Sequence, residues 1–172
     1  LYVMKFAGAG QGVKALTAEL LAGEIGRSLG LRVPELALID LDPAFAAGES
    51  NLEIRDLLKA SIGRNLGLRF LPNALEYNPL RTPPLTRHEA AAIVWFDAYV
   101  TNVDRTPRNV NMLLYERELW LIDHGASLYF HHRADWQHHP ERSRVPFTQI
   151  KDHALLPFTA PIDEADRLLT PK

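Results

Sequence analysis

Cysteine is absent from the chain, which rules out disulfides and thiolate-held zinc and fits a cytoplasmic setting. Any marked excess of charge is missing too. The formal net charge is −2 and the isoelectric point about 6.4, so there is no basic footprint for nucleic acid or an anionic membrane. No run is long enough to span a membrane: "AAAIVWFDAYV" (90–100) is short, is broken by Asp97 and reads as a buried helix. No signal peptide, internal repeat or low-complexity tract is visible. What remains is an ordinary globular composition, 47 % apolar and 23 % charged over 172 residues. That is enough for one domain, or one domain in two lobes, with a substantial core.

Alternation in "LYVMKF" (1–6) predicts a strand with Leu1, Val3 and Lys5 on one face. "AGAGQG" (7–12) reads as a flexible loop, and a helix is expected from about Ala15 to Leu29, closed by Gly30 as a left-handed cap. A second strand is expected at 34–40. Ser50 and Glu53 stand at capping-box spacing, predicting a helix that ends near Gly63, and "LGLRFL" (66–71) reads as a third strand. The proline-rich stretch "YNPLRTPPL" (77–85) marks the boundary between two lobes, about 1–78 and about 85–172. Thr86 and Glu89 form a second capping box, opening a helix to about Val103 that is apolar nearly all round. "NMLLYERELWLID" (111–123) gives two short strands turning at Glu116 and Arg117. After "DHG" the chain is histidine-rich and irregular, with helix only near 162–169.

"DRTPRN" (104–109), between the apolar helix and the hairpin, is too polar for core and too closely framed for a linker. Phosphoryl transfer needs a lysine on the α/β-phosphates, a glutamate to hold it, a base near the acceptor hydroxyl and two oxygen ligands for Mg²⁺. Protein kinases place the metal-binding asparagine five residues after the catalytic aspartate, and the second metal aspartate after a hairpin and shortly before a glycine. Here Asp104 and Asn109 are five apart, and Asp123-His124-Gly125 closes the hairpin. Each residue alone has a plainer account: Asp104 as a helix terminator, Asn109 as a turn residue after Pro107, and Lys5 as a solvated strand end. Order and spacing together favour the catalytic account.

"YVMKF…GAGQGVKALTAELLAGEIGRSLGLRVPE", "WFDAYVTNVDRTPRN" and "LWLIDHGASLYFHH" resemble the HipA-like kinases, whose catalytic loop and Asp-x-Gly also resemble those of phosphatidylinositol 3/4-kinases. The resemblance covers most of residues 1–132. It implies an α+β, bilobal protein-kinase-like fold, with a partial strand-rich first lobe and a helical second lobe. It also implies ATP- and Mg²⁺-dependent transfer of the γ-phosphoryl group to a hydroxyl acceptor, with a protein serine or threonine favoured. In that pattern Lys5 matches the phosphate-binding lysine, Glu19 its helix partner, Asp104 the base, and Asn109 and Asp123 the metal ligands. Glu24 competes with Glu19 from about 140° around the helix. The resemblance selects Glu19; periodicity does not. Arg105 and Arg108 are open between phosphate contact and exposed loop charge, and Arg108 is set on the nucleotide.

Three departures stand out. The kinase His-Arg-Asp triplet is Asn102-Val103-Asp104, the DFG phenylalanine is His124, and the glycine-rich loop expected upstream of Lys5 is absent from the sequence. Two rival readings follow from other features: a nucleotide-binding pseudokinase, and a His/Asp metal-dependent hydrolase built on the later histidines. Adjacent histidines in irregular chain diverge, which weighs against a zinc site. "GAGQG" lacks the further glycine of a dinucleotide fingerprint at Val13, and "LIDLDPA" (38–44), which resembles the paired aspartates of haloacid-dehalogenase-like phosphatases, is better read as a strand end and turn.

Overall fold

β1 (Tyr2–Lys5), β2 (Leu36–Leu41) and β3 (Gly63–Arg69) form an antiparallel sheet in the order β1-β3-β2 in this computed structural model, which describes residues 1–10, 12–78, 80 and 85–159. Lys5 stands opposite Leu66 and Tyr2 opposite Arg69, which puts Lys5 at the last paired position of β1. β3, the middle strand, is buried from Asn65 to Leu68.

α1 (Gly12–Ser28) follows β1 and starts three residues before the expected Ala15. Its buried stripe is made almost entirely of small residues, Ala15, Ala18, Ala22, Gly23 and Gly26, which lets it lie close on its neighbours. A Cβ built at Gly26 would sit 3.1 Å from Phe96 and 3.2 Å from Val33. The helix closes as expected: Gly30 adopts φ +88°, and the Gly30 and Leu31 amides return to the carbonyls of Arg27 and Gly26, the pattern of a Schellman cap.

Asp42 caps the short α2 (Pro43–Ala47), accepting from the Ala44 amide at 2.7 Å, so the paired aspartates are a strand end and a helix cap. α3 (Leu52–Ala60) is capped by Asn51 and not by Ser50. Asn51 accepts from the amides of Glu53 and Ile54 at 3.0 and 3.2 Å. Asparagine caps as well as serine. The one-residue shift removes Glu53 from the position a reciprocal capping box needs.

α4 (Arg87–Tyr99) begins with the full capping box, Glu89 accepting from the Thr86 amide at 2.8 Å while Thr86 accepts from the Glu89 amide at 3.2 Å. It ends at Tyr99 rather than Val103. Thr101 turns to φ +50°, and the Asn102 amide returns to the Asp97 carbonyl at 2.8 Å. β5 (Met112–Tyr115) and β6 (Glu118–Leu121) form the expected hairpin, with Glu116 and Arg117 both at positive φ, as a two-residue type I′ turn requires. A two-residue strand, β4 (Leu75–Glu76), adds to β5 and gives a second sheet, β4-β5-β6. Beyond it the chain runs in short 3-10 turns from Tyr129 to Phe158. Pro79 and residues 81–84 of the proline-rich stretch, and the helix expected near 162–169, lie outside the described residues.

The architecture is α+β, and one apolar cluster joins its parts. Phe96 and Val94 of α4, Ala22 of α1, Met112 and Leu121 of the hairpin, and Leu155 of the last turns share it. No helix among the described residues is long and apolar enough to cross a membrane. Phe96 is fully buried at the crossing of α4 with α1. Phe96→Ala should therefore destabilise the fold by about 3–5 kcal/mol in urea titration. A loss under about 1 kcal/mol would mean that α1 does not depend on this contact.

Candidate active site

Lys5 closes β1 with its ammonium held between two carboxylates. Nζ donates to Glu19 Oε2 at 2.7 Å and to Asp123 Oδ1 at 2.6 Å, the latter 118 residues away in sequence. Glu19 sits in the small-residue stripe of α1 and is wholly buried, whereas Glu24 is exposed and pairs with Arg27. Asp123 follows β6 at φ +57°, a left-handed conformation that aspartate tolerates better than most residues. Burial alone would raise the Glu19 pKa. The adjoining His124 ring and the Lys5 ammonium outweigh burial and hold the carboxyl at about 2. Burial works against the Lys5 charge as well, but Glu19 and Asp123 more than offset it and raise its pKa.

His124 stands where the kinase pattern has phenylalanine. It is fully buried, edge-on to Phe96 with ring centroids 5.9 Å apart, and its Nδ1 lies 3.6 Å from Glu19 Oε1. That distance makes it an electrostatic neighbour and not a formed hydrogen bond.

The loop 104–109 folds on itself. Thr106 and Asn109 exchange backbone hydrogen bonds around Pro107 and Arg108. Asp104 Oδ2 accepts from Asn109 Nδ2 at 2.8 Å and from Asn111 Nδ2 at 3.3 Å. The Asn109 amide thus spends its donor on Asp104 and leaves its oxygen turned to other use. Arg108 is exposed at the tip of this turn and lines a groove with Thr106, Pro107, Lys151, Asp152, His153 and Leu156; it does not line the Lys5 cavities. Arg105 does neither of the things expected of it. It is 1 % exposed, and its Nε donates to Asp97 Oδ2 at 2.5 Å. It also donates to the carbonyl of Asn111, and to that of Ile122 at 3.5 Å.

Two cavities meet at Lys5 and Asp123. One, of about 320 Å³, is lined by Val3, Leu68, Phe70, Leu71, Leu113 and Ile122. The other, of about 410 Å³, is lined by Met4, Phe6, Ala9, Gly10, Leu16, Glu19 and Gly125. Ala9, Gly10 and Gly12 form part of the second wall, and the segment is tied down at its start. The Ala7 amide donates to Asn65 Oδ1 at 2.8 Å and the Gly8 amide to Ser61 Oγ at 3.0 Å. A Cβ on Gly8 would lie 2.6 Å from Ala60 Cβ, so the chain approaches α3 too closely for a side chain there.

Four of the later histidines have partners of their own, two of them far away in sequence. His131 contacts the Lys14 carbonyl, His132 the Ser127 carbonyl, His139 the Glu141 carboxylate and His153 the Asp97 carboxylate. Among the described residues no three His, Asp or Glu side chains are grouped to hold a metal. Sequence reading missed Asp97, Arg105, His153, Asn111 and the Ser61–Asn65 anchor. Asp97 carried a usable signal, since a lone charge inside an otherwise apolar helix must find a buried partner.

A lysine held by a helix glutamate, a polar loop and an aspartate at a hairpin's end follow the order of a kinase site. The family model for HipA-like kinases matches residues 1–150, a span that contains all of these side chains, with His153 just beyond it. The chain belongs to the HipA-like kinase family. No curated protein and no solved structure matches it.

The depressed Glu19 pKa sets an acid dependence. Its carboxylate stabilises the fold fully above its ordinary value of 4.5, and this contribution is lost as pH falls toward about 2. Wild type should exceed Glu19→Gln in denaturant stability above about pH 5, with the gap closing between about pH 4.5 and 2. A gap that does not change with pH would mean that the ionised Glu19 is not what the fold uses.

Proposed function

We propose that the chain is an ATP- and Mg²⁺-dependent phosphotransferase with a bilobal kinase-like arrangement, moving the γ-phosphoryl group to a hydroxyl, with a protein serine or threonine as the favoured acceptor. The observation that carries this reading is Lys5, bonded at once to Glu19 and Asp123 where two cavities meet. The cavity of about 320 Å³ has the apolar lining that suits a flat heterocyclic base. Lys5, fixed by Glu19, is then placed to neutralise α/β-phosphate oxygens beyond it.

The residues present suit a hard divalent cation. Asp123 offers a half-exposed carboxylate, and Asn109 an amide oxygen left free by its bond to Asp104. A bound Mg²⁺ would neutralise charge developing on the transferred phosphoryl oxygens. Asp123 would exchange its contact with Lys5 for that ion, while Glu19 keeps the lysine in place. Asp104 has Oδ2 occupied by Asn109 and Asn111, which leaves Oδ1 to orient the acceptor hydroxyl and take its proton. Arg108 lines a different groove from the two Lys5 cavities, and a contact with the nucleotide phosphates would have to come from that side.

Asp104→Asn separates transfer from binding. Turning the new amide oxygen toward Asn109 points an NH₂ group at the acceptor, so the hydroxyl loses its proton acceptor. ATP affinity should stay near wild type while γ-phosphate transfer, including autophosphorylation, falls by roughly a hundredfold or more. ATP titration and radiolabel transfer on both proteins measure this. A mutant as active as wild type removes Asp104 from the role of base. Wild type that binds Mg-ATP and transfers nothing marks a nucleotide-binding regulatory protein instead. Asp123→Asn should abolish most of the Mg²⁺-dependent part of the melting shift given by ATP, because a ligand that binds only the native state stabilises it by mass action.

A further inference from the structure

Asp97, Arg105 and His153 form a polar cluster almost entirely out of water among the described residues, with only the edge of His153 reaching a groove. Asp97 and Arg105 side chains are fully buried, and that of His153 is 2 % exposed. Both Asp97 oxygens are taken. Oδ2 accepts from Arg105 Nε at 2.5 Å and from His153 Nε2 at 2.8 Å; Oδ1 accepts from Asn102 Nδ2 at 2.9 Å and from Arg105 Nη2 at 3.5 Å. His153 Nδ1 accepts from the Leu155 amide at 3.0 Å, so the ring proton sits on Nε2 and is donated to Asp97. The segment bearing His153 is fastened to the loop a second time, by the Ala154 amide on the Arg105 carbonyl at 3.0 Å.

The far side of the guanidinium ends on the backbone of the candidate site. Arg105 follows Asp104 directly. It donates to the carbonyls of Asn111, two residues after Asn109, and of Ile122, immediately before Asp123. The Ile122 amide donates to that same Asn111 carbonyl at 3.1 Å, so one acceptor joins the loop's exit strand to the approach of Asp123. The Asn102 side chain adds a further tie, taking the Asp104 amide at 3.1 Å while donating to Asp97.

We propose that His153 is a positioning residue: it holds Asp97 against Arg105, and through Arg105 it sets the backbone carrying Asp104, Asn109 and Asp123. This rests on the phosphotransferase reading for its catalytic consequence, though not for its structural one. Lys5, Glu19 and the apolar cavity lie outside the cluster. Loss of His153 therefore disturbs the geometry of transfer and leaves the nucleotide's apolar and lysine contacts in place. An outer partner of this kind typically changes activity by tenfold or more, and a misplacement near 1 Å by a hundredfold.

The test compares His153→Leu, which removes the donor, with His153→Gln, whose amide nitrogen reaches about the same point as Nε2. Steady-state kinetics and amide hydrogen exchange are measured on both in the full chain. His153→Leu should lower kcat about tenfold or more with KM for Mg-ATP changed less than about threefold, and His153→Gln should recover most of the loss. Exchange should quicken in 103–111 and 122–124 and stay unchanged in α1 and β3. Wild-type kcat in His153→Leu, equal losses in kcat and in ATP affinity, or a glutamine variant no better than leucine would overturn the proposal. Should wild type prove unable to transfer phosphate, the phosphotransferase reading fails by itself and exchange decides here. Selective opening of 103–111, reversed by glutamine, upholds the clamp; uniform opening or none overturns it. Should His153→Leu not fold, His153→Asn replaces it, its amide being too short to reach Asp97. Asparagine performing as well as glutamine would overturn the proposal.

Discussion

Asp97 is the constraint around which the second half of the molecule is arranged. A carboxylate in the middle of an apolar helix cannot stay ionised in the core without strong donors. Burial would raise its pKa, yet Arg105 and His153 together hold it well below the ordinary range, so the charge is kept and not neutralised. The requirement shapes the chain. α4 must end soon after Asp97, the chain must double back so that residue 105 reaches residue 97, and the left-handed Thr101 makes that turn. Removing one partner from such a cluster typically costs about 3–5 kcal/mol, because the remaining charge is stranded. Ion pairs of this kind add little net stability over a well-packed apolar replacement. Their value here is direction: a guanidinium holds its donors in a fixed plane, and while Nε and Nη2 face Asp97, Nη1 falls on two particular carbonyls.

The Lys5 cluster obeys the opposite logic. Lys5 and Asp123 side chains are 30 % and 49 % exposed, whereas that of Glu19 is 1 % exposed. Lys5 is thus gripped firmly on the buried side and loosely on the open side, where water screens its pair with Asp123. An Asp123 carboxylate whose one partner among the described residues is a partly solvated ammonium can change partners at small cost. Firm and loose ends adjoin within one residue, since Ile122 hangs from Arg105 and Asp123 does not. The backbone is fixed and the side chain can change partners, which is the combination a site for charged ligands requires.

Much of this was legible in the chain where local chemistry decides it. The Thr86–Glu89 box, the Gly30 cap and the Glu116–Arg117 turn each follow from one or two residue types at fixed offsets, and each stands where the sequence placed it. Asp42 also reads locally. The Ser50 cap failed because Asn51 competes one position on with equal chemistry. Partnership across long separations was not legible: nothing local ties His153 to Asp97 or Asn65 to Ala7. Arg105 was the instructive miss. Flanked by Asp104, Pro107 and Arg108 it looks like a loop charge, and only the unpaired Asp97 eight residues earlier hints that it turns inward. Glu19 was more readable than it looked, because Ala15, Ala18, Ala22 and Gly26 mark a small-residue stripe that includes position 19 and excludes 24.

That stripe also accounts for the histidine in Asp-His-Gly. Small residues bring α1 so close that Glu19 is buried completely, which leaves its second oxygen beyond the reach of water. Oε2 has Lys5. Oε1 has no hydrogen-bond partner among the described residues, and the imidazole of His124, at 3.6 Å, is the polar group facing it. Phenylalanine at 124 could keep a ring contact with Phe96 but would set hydrocarbon in place of the polar group facing that oxygen. Histidine keeps the edge-on ring contact and turns a polar Nδ1 toward that oxygen at 3.6 Å, although both of its own ring nitrogens are likewise without hydrogen-bond partners among the described residues. The departure from the kinase pattern at this position is therefore tied to the depth at which Glu19 is held. Close packing of α1 and a polar ring after Asp123 thus meet at one carboxylate, whose other oxygen holds Lys5.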